Sequence, residues 1–152
     1  MSGPRSLKSK PLLPTFDSHG GFPMPPAKCR VLVIDDHEDS LEVLKLLLGE
    51  EDYEVTIAVS IVDALTLARS QEFDLYVLDK HLPDGSGLDL CAKLVALTPR
   101  VPCIFYTGDA YEVHRREAMA AGADAYVAKP DIEGLIDNVH KLMANRECAT
   151  AN

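Results

Sequence analysis

Short apolar runs that end at polar residues constrain the fold of this chain more than any other feature of its sequence. Residues 31–34, 75–78, 103–106 and 126–128 are such runs. A run of this length without polar alternation is typical of a strand in a parallel sheet that is covered on both faces. Stretches with apolar residues at helical spacing lie between the runs, so strand and helix signals alternate five times. This alternation predicts an α/β domain.

Five β/α units with short connections predict a flavodoxin-like (βα)5 fold, a doubly wound five-stranded parallel sheet. Right-handed crossovers leave few topologies, and we expect the strand order 2-1-3-4-5. Local signals predict helix ends at Gly49, Ser60 with its capping-box partner Asp63, Gly122 and Asp131. The fourth helix is expected to run through Val113, Ala118, Met119 and Ala121 and to end at Gly122.

The first 28 residues differ in composition from the rest. They contain six of the ten prolines and carry a net charge of +3, whereas the remaining residues carry −12. A Pro/Gly-rich stretch without periodicity is typical of a flexible tail. We therefore expect an N-terminal tail at 1–28, a domain at 29–146 and a C-terminal tail at 147–152. The net charge of −9 argues against nucleic acid or an anionic membrane surface as a direct partner.

The cysteines and the hydropathy of the chain indicate the cellular compartment of the protein. Cys91 falls on an apolar helix face and Cys103 falls in an apolar strand run, so both are expected to be buried free thiols. Such thiols suit a reducing cytosol. No apolar run approaches the roughly 18 residues that a membrane span needs. We therefore expect a cytoplasmic protein.

Five polar residues stand at the ends of the apolar runs: Asp35, Asp36, Asp79, Thr107 and Lys129. Ligands of open α/β sheets bind outside the carboxyl ends of the strands, so these side chains are expected to converge on one edge. Three carboxylates, a hydroxyl and an ammonium group at one edge predict a phosphoryl-transfer site built around a divalent cation.

The chemistry of the five residues suggests a division of roles. Asp35 and Asp36 supply ligands to Mg²⁺, with Mn²⁺ as an alternative ion, and Asp79 is both ligand and nucleophile that forms an acyl phosphate. Thr107 and Lys129 bind phosphoryl oxygens, and Lys129 pairs with Asp79 when no phosphate is bound. Without a metal ion, repulsion among the carboxylates is expected to raise the pKa of at least one of them.

Four motifs resemble the receiver domain of bacterial two-component response regulators over residues 29–146. They are V-L-V-I-D-D, L-Y-V-L-D-K-H-L-P-D-G-S-G, F-Y-T-G-D and Y-V-A-K-P. The resemblance implies that Asp79 is the phosphorylated residue, that Asp36 binds Mg²⁺ directly and that Asp35 binds it mostly through water. It also implies that the backbone carbonyl of His81 is the third protein ligand.

The resemblance also implies a switch. Thr107 and Lys129 match the hydroxyl and the lysine that respond to phosphorylation, and Tyr126 matches the aromatic residue that then turns inward. The Lys129–Pro130 bond matches the cis peptide of the family.

Lys80 and His81 after the acceptor, and Gly108 and Asp109 after the threonine, depart from the commonest pattern. His81 and Asp109 hold the second positions after Asp79 and Thr107, which flank the path of the attacking water in this family. They are therefore expected to tune the lifetime of the phosphoryl group.

The remaining histidines are not expected to form a metal site. His37, His81, His114 and His140 share no metal-ligand spacing, and the imidazole of His81 is expected to face solvent. None has the helical context of a histidine that donates a phosphoryl group.

The expected function is a phosphorylation-driven binding switch rather than an enzyme, with no chemistry beyond self-phosphorylation and autodephosphorylation. The donor is a histidine kinase or a histidine phosphotransfer protein. The sequence ends soon after the fifth helix, so we expect signalling by protein contact, as a stand-alone receiver or a phosphate shuttle. A downstream partner or a second copy would bind the face formed by the fourth helix, the fifth strand and the fifth helix.

Three alternatives remain. A haloacid-dehalogenase-like phosphatase also uses an aspartyl phosphate and Mg²⁺, but it needs a D-x-D nucleophile after the first strand, where this chain has Asp-Asp-His. The chain could also be the receiver fragment of a hybrid histidine kinase. A pseudo-receiver that works without phosphate is disfavoured because all five site residues are present.

Overall fold

The computed structural model describes residues 28–144 and 146. Its five-stranded sheet consists of β1 (Arg30–Ile34), β2 (Glu54–Ala58), β3 (Leu75–Leu78), β4 (Cys103–Thr107) and β5 (Ala125–Ala128). The helices are α1 (Glu38–Glu50), α2 (Ile61–Ser70), α3 (Gly87–Leu97), α4 (Glu112–Ala120) and α5 (Ile132–Met143). The expected tails at 1–28 and 147–152 lie outside the described residues, apart from residue 28.

The sheet has the predicted topology. Its order is β2-β1-β3-β4-β5, and every neighbouring pair is parallel. The prediction of a flavodoxin-like sheet with order 2-1-3-4-5 is therefore confirmed. A small antiparallel hairpin follows β3, in which His81–Leu82 pairs with Gly85–Ser86.

Two hydrophobic layers explain why the strand runs are apolar at every position. In β1, Val31 and Val33 pack with α1 and α5 on one face, while Leu32 and Ile34 pack with α2 and α3 on the other. All four side chains are buried. Helices on both faces thus leave no position in the central strands for a polar side chain until the strand ends.

Most of the predicted helix ends are confirmed, and one is wrong. The Asp63 N–H donates to Ser60 Oγ, and the Gly134 N–H donates to Asp131 Oδ1. Gly122 follows α4 with φ +113°. α1, however, passes through Gly49 and ends at Glu50.

The end of α1 is formed by a different residue from the one expected. Asp52, with φ 70°, takes the left-handed position after the helix, and the Tyr53 N–H donates to the Leu48 carbonyl at 3.1 Å. This is the bonding pattern of a Schellman motif. Asp tolerates the left-handed region because of its short polar side chain.

α4 forms where the sequence predicts it, before Gly122. Ala118 is the one buried residue of the helix, whereas Val113 and Met119 are exposed. Because a small alanine makes the closest contact with the core, the larger apolar side chains are turned toward the surface.

The two cysteines expected to be buried are free, and both are fully buried. Among the described residues, no helix has the length and the apolar character needed to cross a membrane.

Candidate functional site

The ladder of the sheet places three of the predicted residues at one edge. The backbone N–H groups of Asp35, Asp79 and Lys129 each donate to a neighbouring strand, at 3.1, 3.0 and 2.8 Å. Thr107 is the last residue of β4. Asp35, Asp79 and Thr107 are buried, because the sheet carries their side chains to the rim of the core.

Lys129 joins two of the carboxylates. Its Nζ lies 2.7 Å from Asp35 Oδ2 and 3.2 Å from Asp79 Oδ2. Burial would lower the pKa of Lys129, but the hydrogen bond to Asp35 and the charge of Asp79 outweigh it and raise the pKa. The predicted pairing of Lys129 with Asp79 is therefore present, and Asp35 is the nearer partner.

The acidic cluster contains a residue that the sequence analysis set aside. His37 Nδ1 lies 2.9 Å from Asp35 Oδ1, 3.2 Å from Asp36 Oδ1 and 3.9 Å from Asp79 Oδ2. The hydrogen bond to Asp35 is the main cause that raises the pKa of His37, and the charge of Asp35 adds to it. The signal that could have identified His37 is its position directly after the acid pair.

The expected rise of a carboxyl pKa is not found at Asp35. Burial would raise the pKa of this group, but hydrogen bonds from Lys129 and from the backbone and ring of His37 lower it below its usual value. These donors outweigh the repulsion expected from the neighbouring carboxylates, so the pKa of Asp35 moves in the opposite direction.

The donor set fits a divalent cation. Asp35, Asp36, His37 and Asp79 each offer a ligand atom, and these atoms all lie within 4.8 Å of one another. Carboxylate oxygens are the ligands that Mg²⁺ prefers. His81 lies next to this donor set, since its backbone N–H is 3.4 Å from Asp79 Oδ1, and the residue is exposed.

An open pocket of about 620 Å³ gives access to Asp79. Its walls include Thr107, Asp109, Lys129 and the two histidines His37 and His81. The pocket therefore brings together the predicted acceptor, hydroxyl and ammonium group with the two positions expected to tune the phosphoryl lifetime. Tyr126 is not among the residues that line it.

Asp109 forms a second ionic cluster beside the pocket. Lys80 Nζ lies 3.4 Å from Asp109 Oδ2 and 3.6 Å from Glu117 Oε1 on α4. His114 pairs with the same carboxylate, and the Tyr111 N–H donates to its other oxygen at 3.2 Å. These groups, the His114 hydrogen bond foremost, lower the pKa of Asp109 to about 2.

The same loop holds Tyr126. The Tyr126 hydroxyl donates to the backbone carbonyl of Asp109, and its ring centroid is 6.1 Å from that of Phe105. Burial, supported by the charge of Asp109, raises the pKa of Tyr126 to about 12. Lys80 and His114 were not predicted to take part, since nothing in their spacing reveals a contact between α4 and the loop after β3.

The loop that follows Asp79 is tightly fixed. A Cβ at Gly87 would lie 2.1 Å from the Asp79 carbonyl oxygen, so no side chain fits there. Asp84 accepts hydrogen bonds from the N–H groups of Ile61 and Val62, at 2.8 and 3.1 Å, at the start of α2. The Lys129–Pro130 peptide bond on the other side of the site is cis.

Comparison with known proteins places these observations in a family. The family model described as response regulator receiver domain matches residues 31–140. The transcriptional regulatory protein CreB of Escherichia coli (strain K12) is 38% identical over 100 residues, which are 66% of this chain and 44% of that protein. The chain spans about half the length of the curated relatives it matches.

Two solved structures show the same likeness. A CheY-like receiver domain protein from Methanospirillum hungatei JF-1 is 32% identical, with a TM-score of 0.74 over 78% of this chain and 96% of that chain. The response regulator protein TrrA from Thermotoga maritima, solved with Mg²⁺ and BeF, is 34% identical, with a TM-score of 0.69 over 75% of this chain and 98% of that chain. The chain belongs to the response regulator receiver domain family of two-component systems.

Proposed function

We propose that this protein is a phosphorylation-driven switch in which Asp79 accepts a phosphoryl group from a histidine kinase or a histidine phosphotransfer protein. The observation that carries the proposal is the meeting of Asp79, Lys129 and Thr107 at one solvent-accessible pocket. An Asp79 carboxylate oxygen forms a bond to phosphorus while the P–N bond of the donor phosphohistidine breaks. The donor imidazole keeps the electron pair of that bond.

The metal in this proposal is Mg²⁺, or Mn²⁺ in its place. Asp35, Asp36, Asp79 and the backbone carbonyl of His81 would hold it, and TrrA, a relative, was solved with Mg²⁺ and BeF. When bound, the ion neutralises negative charge on the acids and on the incoming phosphoryl oxygens. Lys129, whose Nζ contacts Asp35 Oδ2 and Asp79 Oδ2, neutralises a further phosphoryl oxygen.

The switch proper consists of Thr107, Lys129 and Tyr126. Thr107 moves toward the phosphoryl group, and Tyr126 then leaves its hydrogen bond to the Asp109 carbonyl and turns inward. The lifetime of the phosphoryl group is set by His81 and Asp109, which line the same pocket as Asp79.

The output is a change in partner binding on the α4-β5-α5 face, in the cytoplasm. Support comes from α4 and the residue before it, where Tyr111, Val113 and Met119 are exposed. Exposed apolar side chains in one region are typical of a surface that binds another protein or a second copy.

The phosphoacceptor assignment has a direct test. Incubation with Mg²⁺ and a small acyl-phosphate donor should add one phosphoryl group to the wild-type protein and none to Asp79→Asn, as measured by intact mass. The control is Asp137→Asn, which changes an exposed aspartate. Asp74→Asn is less suitable because Asp74 is buried and accepts a hydrogen bond from the Arg30 backbone N–H. Equal labelling of wild type and Asp79→Asn would contradict the proposal.

The same incubation separates a switch from a phosphatase. A receiver is expected to stop at one phosphoryl group per chain and to release it slowly. Steady turnover of a small phosphate ester would instead support the phosphatase alternative.

A further inference from the structure

His37 is the one nitrogen donor among the oxygen donors of the acidic cluster, and the proposed function leaves it without a role. Its backbone N–H donates to Asp35 Oδ1 at 2.9 Å, and its ring Nδ1 lies 2.9 Å from the same oxygen. Two contacts to one carboxylate therefore hold the imidazole beside the acids. The side chain is 66% exposed, so no other part of the described protein confines it.

The two sides of the cluster are chemically different. Lys129 Nζ contacts the Oδ2 atoms of Asp35 and Asp79. His37 Nδ1 lies closer to Asp35 Oδ1 and Asp36 Oδ1, at 2.9 and 3.2 Å, than to Asp79 Oδ2, at 3.9 Å. An ion that binds the acids away from the positive charge of Lys129 thus meets the imidazole.

The spacing of the donors is that of neighbouring ligands on one ion. Metal–ligand bonds of about 2.1 Å at right angles put adjacent donor atoms about 3.0 Å apart. The separations from His37 Nδ1 to Asp35 Oδ1 and to Asp36 Oδ1 are 2.9 and 3.2 Å. The same distances suit a hydrogen bond, so a bound ion would replace the proton that Nδ1 shares with Asp35. Once this proton is released, the imidazole nitrogen has the placement of a fourth side-chain ligand.

We propose that His37 Nδ1 is an additional metal ligand and biases this site toward divalent transition ions. The inference rests on the proposed function, since it uses the same ion site at Asp35, Asp36 and Asp79. Imidazole binds first-row transition ions well, whereas Mg²⁺ prefers oxygen donors. His37 thus strengthens the binding of Mn²⁺ and later transition ions and adds little to the binding of Mg²⁺.

The first test observes the nitrogen directly. Pulsed electron paramagnetic resonance of the Mn²⁺-loaded wild-type protein should show the ¹⁴N coupling of a directly bound imidazole. The coupling should be lost in His37→Phe and kept in His140→Gln. His140 lies on α5 and pairs with Glu51, the residue after α1, and it takes no part in the acidic cluster. Mn²⁺ binding without any ¹⁴N coupling in the wild type overturns the His37 assignment.

The second test compares affinities by calorimetry. His37→Phe should weaken Mn²⁺ binding by about tenfold or more, as loss of a metal-supporting histidine does elsewhere, and should change Mg²⁺ affinity little. If the imidazole instead competes with the ion, the same variant binds both ions more tightly, and the inference is wrong.

The two failures can be told apart. If wild type and His37→Phe bind Mg²⁺ with the same affinity and also bind Mn²⁺ with the same affinity, the further inference is wrong and the phosphoacceptor function stands. If the wild-type protein binds neither ion and Asp36→Asn behaves in the same way, both the further inference and the proposed function are wrong.

Discussion

At the scale of single residues, Asp109 is a charged group held by several partners at once. Lys80, His114 and the Tyr111 N–H all approach its carboxylate. Its pKa is lowered to about 2 in the folded protein, against about 3.9 for an unperturbed aspartate. The unfolded chain therefore takes up the proton first as the pH falls.

The sign of the pH dependence follows from that order. Stability contributed by Asp109 is complete above about pH 5 and is lost as the pH falls toward about 2. As the pH falls from about 5 to about 2, the free energy of unfolding should therefore decrease less in Asp109→Asn than in the wild type. Urea unfolding at several pH values measures this difference. The exposed Asp137→Asn should follow the wild type. Parallel curves for wild type and Asp109→Asn would contradict the ion pairing.

His37 marks the limit of what spacing in the sequence reveals about single residues. Asp35, Asp79 and Lys129 could be predicted because each directly follows a strand run, and the sheet then brings them together. His37 directly precedes α1, and its contact with the acids depends on the hydrogen bond from its own backbone N–H to Asp35. A turn of this kind depends on local geometry that no periodic pattern encodes.

At the scale of elements, the loop between β3 and α3 is fixed by steric exclusion at Gly87. A Cβ there would overlap the Asp79 carbonyl oxygen, which is backbone and cannot move aside. Gly87→Ala should lower the free energy of unfolding by about 1–3 kcal/mol or more. It should also slow phosphorylation, because the loop that carries Asp79 must shift.

Gly49 provides the matched control within α1. Nothing lies within 4 Å of a Cβ at this position, and the residue sits inside the helix. Gly49→Ala should therefore raise the free energy of unfolding by about 0.5–1 kcal/mol, the usual cost of glycine in a helix. Chemical unfolding measures both variants, and a stable Gly87→Ala protein with normal labelling would refute the steric argument.

Element ends were less predictable than element types, and α1 shows why. Gly49 was expected to end the helix, because glycine is the commonest residue in the left-handed position. Asp52 takes that position instead, at φ 70°. The Asp52 N–H donates to the Gly49 carbonyl at 3.1 Å, so Gly49 takes part in the helix end as an acceptor within the last turn. The preference of glycine for the left-handed position therefore does not decide where this helix ends.

At the scale of the whole molecule, one lysine links three strands. Lys129 follows β5, and its Nζ reaches Asp35 after β1 and Asp79 after β3. Replacement by alanine leaves two buried carboxylates without their cation. Lys129→Ala should therefore lower the free energy of unfolding by about 1–3 kcal/mol in the absence of a metal ion.

A divalent cation should reverse much of that loss. Mg²⁺ neutralises the same carboxylates, so the gap between Lys129→Ala and wild type should narrow when Mg²⁺ is added, as measured by urea unfolding with and without the ion. Lys45→Ala, which removes an exposed lysine of α1, should show no such dependence. A gap that stays unchanged on addition of Mg²⁺ would argue against a shared acid cluster.

The overall architecture was predictable because its signals are repeated along the whole chain. Apolar runs that lack polar alternation need a cover on both faces, and right-handed crossovers then leave the order 2-1-3-4-5. The existence of α4 was predictable, but its inward face was not. Its one buried residue is Ala118, so neither Val113 nor Met119 indicates which face is turned inward.

Lys129 already contacts two carboxylates in the unmodified protein, before any phosphoryl group arrives. Under the proposed function, phosphorylation is therefore an exchange of partners for this lysine and not the creation of a new ion pair. The free energy available to drive the conformational change is the difference between two similar attractions. Such a difference favours a shallow equilibrium between two populated states, whose balance a binding partner can tip.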